Sequence, residues 1–154
     1  MSRAIILSFI FFWCVLIVVT PVLFSFDGTA HTIAIVLYKF YSTVCHQFDS
    51  HSFHLCGNKF AVCIRCSSIY FGFFLGGIFL PMIKKMVRQK FSSLQIIFFA
   101  SLPMLVDVLC SWCGIHESTT TTKMISGGMF GVLIAYVLIP ELVDIDVMRR
   151  INRT

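Results

Sequence analysis

The amino-acid sequence predicts an all-α integral membrane protein, a bundle of four membrane-spanning helices with a short interfacial helix before the second span. Composition is the first reason, because 58% of the 154 residues are hydrophobic, 12% are charged and the mean hydropathy is +0.90. A soluble domain carries about 25% charged residues, so this chain lacks the polar side chains to cover a water-facing surface. The second reason is that four apolar runs approach the roughly 20 residues that a helix needs to cross a bilayer.

The predicted spans cover residues 4–23, 66–83, 92–115 and 124–140 of a single membrane domain, residues 1–154. The first run follows Arg3, as the apolar core of a signal peptide follows a basic residue, but it is longer than a usual signal core and no Ala-x-Ala site follows it, so we interpret it as a retained anchor. The last run is short, and Lys123 and Glu141 are placed to snorkel at its two ends.

An outer loop, residues 24–65, separates the first two spans and contains a shorter apolar stretch from Ala30 to Val44. This stretch includes a lysine, and its apolar residues recur at helical spacing on one face. They are Ile33, Leu37, Phe40, Tyr41 and Val44. Such a pattern is typical of a helix that lies on the membrane surface.

Glycine pairs predict how the spans pack. Gly72 and Gly76 lie four residues apart in the second span, and Gly127 and Gly131 have the same spacing in the fourth. Small residues at this spacing allow helix backbones to approach closely.

Basic residues predict that both termini are cytoplasmic. In that orientation the inner segments hold eight basic residues and the outer segments four, which agrees with the positive-inside rule. The inner set is Arg3, Lys84, Lys85, Arg88, Lys90, Arg149, Arg150 and Arg153, and the outer set is Lys39, Lys59, Arg65 and Lys123. The net charge of +5 is explained in this way, without nucleic-acid binding. Every histidine and all cysteines except Cys14 then lie towards the extracytoplasmic side.

A Cys/His constellation lies in this outer loop and predicts a transition-metal site. Cys63 and Cys66 form a Cys-x-x-Cys pair at the start of the second span, where both sulfurs can face one ion. Cys45 and His46 are the expected source of further ligands, and His54 and Cys56 are possible ones. Zinc is the favoured metal, with copper or iron after it.

Two alternatives use the same atoms. Cys63 and Cys66, with Cys45 and Cys56 as a second pair, resemble in architecture the quinone-linked disulfide-forming membrane enzymes, since the helix N-terminus and Arg65 would lower a thiol pKa. Alternatively, the loop cysteines form a structural disulfide. No catalytic residue stands out, so the sequence leaves enzymatic activity open.

Asp107 is a carboxylate inside the third predicted span, a placement that usually requires a partner or a function. Arg65 and Lys123 are its candidate partners. Cys110 and Cys113 continue from Asp107 towards the outer end of the span, so an alternative is that these residues extend a metal path into the bundle.

Three short motifs carry a family resemblance: Cys45-His46-Gln47, Cys63-Ile64-Arg65-Cys66 and Ile69-Tyr70-Phe71-Gly72. Together they resemble the signature of domain of unknown function 2085, a family of small predicted membrane proteins. The similarity spans about Cys45 to Gly131, and its weaker second half matches at Pro103, Asp107, Gly114, Ser118 and Gly128. The chain departs from the pattern at His51, where arginine is usual, and at Ser67, where glycine is usual.

The resemblance implies a shared set of functional residues: Cys45, His46, Cys63, Cys66 and Asp107. Three thiols and one imidazole are the ligand count of a closed zinc site. The family label names no activity. Membrane lipid is the expected partner, no protein partner is implied, and self-association stays open.

Overall fold

The computed structural model of the protein describes residues 3–47, 52–86, 93–113 and 119–151. Its helices are α1 (Arg3–Phe24), α2 (Thr29–Tyr41), α3 (Ile64–Met86), α4 (Ser93–Trp112) and α5 (Thr120–Ile151). A small antiparallel hairpin, β1 (His54–Leu55) and β2 (Asn58–Lys59), lies between α2 and α3. The prediction of an all-α fold is confirmed, with this hairpin as a minor addition.

Three of the helices are long and apolar enough to cross a membrane: α1 throughout, α3 over Ile64–Ile83 and α5 over Thr120–Val143. The apolar part of α4 is shorter, Gln95–Cys110. The described residues therefore contain three candidate membrane spans, and a fourth crossing by α4 stays a prediction.

Large apolar side chains lie on the outside of these helices. Phe9 and Phe12 of α1 are 65% and 61% exposed, and Phe98 and Phe99 of α4 are 63% and 61% exposed. Phenylalanines on the outside of a bundle are costly in water but suit contact with lipid chains. The exterior of α4 thus resembles that of α1, although its apolar stretch is shorter.

Helices α3 and α5 form the most extensive contact in the fold, and glycines make it possible. A methyl group added to Gly72 would lie 2.9 Å from the Cα atom of Gly128, and one added to Gly76 would lie 2.8 Å from the Cα atom of Val132. Gly131 packs in the same way against the backbone of α3. The close approach that the glycine spacing predicts is confirmed, since any side chain here would separate the two backbones.

An arginine of α1 donates hydrogen bonds to α3 at a point where a proline interrupts the helical hydrogen bonding of α3. Pro81 has no N–H, so the carbonyl group of Gly77 lacks its usual helical donor four residues later. Arg3 supplies one instead: its Nη2 donates to Gly77 O at 2.7 Å and to Ile78 O at 2.8 Å. The first turn of α1 is thereby fixed beside the second half of α3, which makes the two helices antiparallel neighbours.

Helix α2 buries only a narrow face. Ala34 and Tyr41 are its fully buried residues, whereas Ile33 and Phe40 of the predicted apolar face are 50% and 51% exposed. Tyr41 donates a hydrogen bond from its hydroxyl group to Trp13 O at 3.2 Å, which holds the end of α2 against α1. The apolar face predicted from the sequence is therefore divided between the protein core and the outside.

The hairpin was not predicted, because strands of two residues are too short to show an alternating pattern. Cys56 and Gly57 form its turn with φ angles of 54° and 78°. Two-residue hairpin turns with positive φ at both positions favour glycine, and here the first position is a cysteine. The Asn58 side chain donates to Pro21 O at 3.2 Å and to Ser25 Oγ at 2.9 Å, so the hairpin is held against the end of α1.

Candidate metal centre

The start of α3 brings two sulfur atoms to one place. Cys63 directly precedes the first helical residue, Ile64, and so takes the N-cap position, while Cys66 lies at the third position of the first turn. Backbone N–H groups of a first turn point at the N-cap side chain. The Cys-x-x-Cys spacing therefore places both thiols at the positively polarised end of the helix.

Cys45 reaches the same point from the other side of the loop. Its backbone N–H donates to Tyr41 O at 3.0 Å, which continues the last turn of α2 and turns the side chain inward. Its Sγ atom accepts a hydrogen bond from the backbone N–H of Cys63 at 3.2 Å. Cys45 is 7% exposed and the other two thiols are half-buried.

The sulfur atoms of Cys45, Cys63 and Cys66 all lie within 4.8 Å of one another. These three residues are called the thiol cluster below. Sulfurs bound to one tetrahedral zinc ion at about 2.3 Å are separated by about 3.8 Å. The thiol cluster thus has the separation of a metal site after a small contraction, and its donor type suits soft or borderline ions.

The cluster favours a thiolate at Cys63. A hydrogen bond from the Cys66 side chain is the largest cause that lowers the pKa of Cys63 to about 5, against the opposing effect of burial. Backbone N–H groups of Cys66 and Arg65 add to the lowering, as the N-cap position of Cys63 leads one to expect. The thiolate is the form of cysteine that binds a metal ion or attacks a disulfide.

A set of hydrogen bonds holds the two cysteine-bearing segments together. The Gln47 side chain donates to Tyr38 O at 2.8 Å and to Ala61 O at 2.7 Å. The Tyr38 hydroxyl group donates to Lys59 O, and Lys59 Nζ donates to Gln47 O at 3.1 Å. These contacts of Tyr38, Gln47 and Lys59, called the loop clamp below, connect α2, the segment after Cys45 and the segment before Cys63.

Aromatic side chains form the inner wall of the site. Trp13 packs edge-on against Tyr41 and Tyr70, with ring centroids 5.2 Å and 5.8 Å away. Tyr41 and Ile17 are fully buried in the same apolar cluster, which also contains Cys45. This wall limits the access of water to the thiols from the side of the bundle.

The remaining loop ligands predicted from the sequence lie outside the thiol cluster. His46 and His54 are exposed, and Cys56 is exposed at the tip of the hairpin. None of the three has a ligand atom in the group formed by Cys45, Cys63 and Cys66 within the described part of the chain. A role for any of them in binding the ion stays a prediction.

Asp107 forms an ion pair with Arg65, the residue between the two cysteines of the pair. The side chains are 11% and 22% exposed, so the contact joins α4 to the start of α3 largely away from solvent. Cys110 of α4 is half-buried and Cys113 is exposed, and neither belongs to the thiol cluster. Of the positions named in the family resemblance, His51, Gly114 and Ser118 lie outside the described residues.

Sequence reasoning missed the loop clamp, although Gln47 belongs to a motif that it noted. The signal was present, since a glutamine beside two predicted ligands is a natural outer-shell hydrogen-bond donor. Ser67 was noted only as a departure from the family pattern; its hydroxyl oxygen, next to Cys66 in the chain, is buried without a hydrogen-bond partner among the described residues.

The family profile described as "Predicted membrane protein (DUF2085)" matches residues 45–137, which include the thiol cluster, the ion pair and the α3–α5 contact. The chain belongs to this family. An uncharacterized protein of Methanocaldococcus jannaschii is 37% identical over 108 residues, which cover 70% of this chain and 69% of that protein. An uncharacterized protein of Methanothermobacter thermautotrophicus is 25% identical over 95 residues, or 60% of this chain and 81% of that protein. No solved structure matches the chain.

Proposed function

We propose that this member of the DUF2085 family is a multi-pass membrane protein that binds a transition-metal ion, zinc in the first place, through Cys45, Cys63 and Cys66. The observation that carries the proposal is the convergence of three sulfur atoms within 4.8 Å from two separate segments of the chain. The bound ion would fix the outer loop to the bundle at the start of α3.

Charge supports zinc over monovalent copper. Three thiolates around a divalent ion leave a net charge of −1, and around a monovalent ion a net charge of −2. A half-buried site pays for uncompensated charge by desolvation, and Arg65, the nearest cation in the sequence, is already paired with Asp107. The lower net charge therefore favours zinc, and divalent iron comes next.

His46 is our candidate for the fourth ligand, because it directly follows Cys45 and zinc prefers four ligands. A site with three protein ligands and a bound water molecule is the alternative. His46→Ala distinguishes the two: loss of zinc affinity comparable to loss of a cysteine supports the closed site, and unchanged affinity supports the open one.

We also propose the membrane arrangement. Helices α1, α3, α4 and α5 cross the bilayer as one domain, α2 lies at the interface, and both termini are cytoplasmic, as the distribution of basic residues predicts. The exposed phenylalanines of α4 support its crossing, and the exposed apolar residues of α2 support contact with the membrane surface. The thiol cluster then faces the extracytoplasmic side.

Elemental analysis of the purified full-length protein, combined with counting of free thiols, tests the metal site. We expect about one zinc ion per chain in the wild type, less than about a tenth of that in Cys66→Ser, and wild-type content in the matched control Cys113→Ser. Equal metal content in all three proteins, or none in the wild type after zinc loading, would contradict the proposal.

Thiol–disulfide exchange is a second candidate function, favoured by the placement of Cys63 and Cys66 at a helix N-terminus. In this reaction the Cys63 thiolate attacks a partner's disulfide, and the Cys66 thiolate then displaces the partner from the mixed disulfide. The partner leaves as a dithiol, while Cys63 and Cys66 become a disulfide. A trapped mixed disulfide in Cys66→Ser, with no metal in the wild type, would support this function.

A further inference from the structure

A cavity of about 460 Å³ lies where the end of α1, helix α2, the loop after α2 and the hairpin meet. Its volume falls in the range of roughly 300–1,000 Å³ that is typical of small-molecule sites. The lining residues are Phe24, Ile35, Tyr38, Gln47, His54, Gly57, Asn58 and Lys59. None of them is a cysteine, so the cavity is separate from the proposed metal site.

The lining of the cavity combines apolar side chains with a lysine and a histidine. Phe24 and Tyr38 pack edge-to-face with ring centroids 5.5 Å apart, and Ile35 lies beside them. Lys59 and His54 also line the cavity, and no acidic residue is among the lining residues that the structure describes. A ligand that matches this lining needs an anionic group and an apolar part.

Lys59 is held in place for such a contact. Its ammonium group donates one hydrogen bond, to Gln47 O at 3.1 Å, as part of the loop clamp. An ammonium group has three N–H donors, so two remain for the oxygen atoms of a ligand. Because the position of Lys59 is already fixed, a ligand would not have to order this side chain itself.

The cavity lies at the end of a candidate membrane span. Phe24 is the last residue of α1, and Asn58 connects the hairpin to Pro21 and Ser25 of the same helix end. If α1 crosses the bilayer, this end of α1 and the cavity beside it lie at the level of the lipid headgroups. Binding of lipid at this level combines the burial of apolar area with the electrostatic attraction of cationic side chains to anionic headgroups.

We propose that this cavity binds one anionic phospholipid, with Lys59 contacting the headgroup phosphate and with Phe24, Ile35 and Tyr38 contacting the upper part of the acyl chains. A free inorganic anion would leave the apolar side chains uncovered, and a zwitterionic lipid would bring a second positive charge towards Lys59. The site does not depend on a metal ion in the thiol cluster.

Thermal unfolding and native mass spectrometry of the full-length protein in detergent test the proposal, with phosphatidylglycerol, phosphatidylcholine and inorganic phosphate as probes. We expect one phosphatidylglycerol to remain bound and to raise the Tm, with phosphatidylcholine and phosphate without effect. Lys59→Gln should weaken phosphatidylglycerol binding about fivefold, the size expected for one lysine at a lipid surface. The other contacts of the loop clamp, from Tyr38 to Lys59 O and from Gln47 to Tyr38 O and Ala61 O, do not use the Lys59 side chain and remain in this variant.

Two further variants keep the test decisive. Ile35→Trp fills the cavity without a change of charge and should reduce binding of phosphatidylglycerol, whereas Lys85→Gln, which removes an exposed lysine of α3, should leave it unchanged. Equal retention of both lipids, unchanged binding in Lys59→Gln and Ile35→Trp, or the same stabilisation by inorganic phosphate would each overturn the proposal.

Discussion

Apart from Cys14, which is buried within α1, the cysteines of this chain fall into two groups that differ in their surroundings. Cys45, Cys63 and Cys66 lie within 4.8 Å of one another, and Cys45 is buried. Cys56 and Cys113 are exposed, and Cys110 is half-buried on the face of another helix. Both groups lie near the same end of the bundle, so proximity to that end alone does not bring thiols together.

The difference lies in the backbone around each thiol. Cys63 and Cys66 are placed by the first turn of α3, and Cys45 is placed by the end of α2 and the loop clamp. Cys56, in contrast, occupies a turn with positive φ that directs the hairpin towards α1. Convergence of ligands is thus a property of the hydrogen-bonded scaffold, which a count of cysteines does not reveal.

Replacing one cysteine of each group with serine should give the largest difference in zinc affinity. We expect Cys45→Ser to lower zinc affinity by more than about 100-fold, because even changes of outer-shell partners cost about 10- to 100-fold. Cys56→Ser should leave the affinity unchanged. Competition with a chromogenic zinc chelator measures both, and a similar loss in the two variants would remove the distinction between the groups.

The loop clamp should have the next largest effect. Gln47→Ala removes the hydrogen bonds to Tyr38 O and Ala61 O, and the segment that carries Cys45 is then free to separate from α3. We expect about tenfold weaker zinc binding with all ligands still present. The same substitution at Gln95 of α4 serves as control, and equal affinity in both variants would show that the clamp does not support the site.

The sequence predicted the part of the site that depends on local structure. The spacing of Cys63 and Cys66 places both thiols within one helical turn. Their placement could therefore be predicted without knowledge of the hairpin and its positive-φ turn. The close helix contact at the glycines of α3 was equally predictable. Gly72 and Gly76 repeat at helical spacing, and this spacing allows the backbone of a neighbouring helix, here α5, to approach closely.

The contacts of the site between segments that are distant in sequence could not be predicted in the same way. Cys45 was expected to join Cys63 and Cys66, but its distance from them depends on Gln47 and on a hairpin too short to recognise in sequence. His46 and Cys56 were grouped with them because of proximity along the chain; both are exposed, and neither has a ligand atom in the thiol cluster of the described residues, so their role as ligands stays a prediction. The partner of Asp107 also stayed open between Arg65 and Lys123 until α3 and α4 were placed.

The rates of thiol labelling should show a smaller, several-fold difference between the two groups of cysteines. Cys56 and Cys113 should react with a water-soluble maleimide in the folded protein, whereas Cys45, at 7% exposure, should react several-fold more slowly. Addition of zinc should slow the labelling of Cys63 and Cys66 and leave Cys113 unaffected. Mass spectrometry of labelled peptides reports each site separately, and uniform protection by zinc would indicate a general effect on folding.

Removal of the ion pair between Asp107 of α4 and Arg65 should have the smallest effect on zinc binding by the thiol cluster. The size of this effect shows whether α4 belongs to the metal site. Asp107→Asn removes the negative charge beside the Arg65 guanidinium in a setting where the side chains of Arg65 and Asp107 are only 22% and 11% exposed. Breaking a pair of this kind is destabilising, so we expect the Tm in detergent to fall by several degrees. Zinc affinity should change by less than about twofold, because Arg65 supports the cluster through its backbone N–H and not through its side chain. A large loss of zinc affinity with an unchanged Tm would show instead that α4 belongs to the site, and would restore the alternative in which Asp107, Cys110 and Cys113 extend a metal path into the bundle.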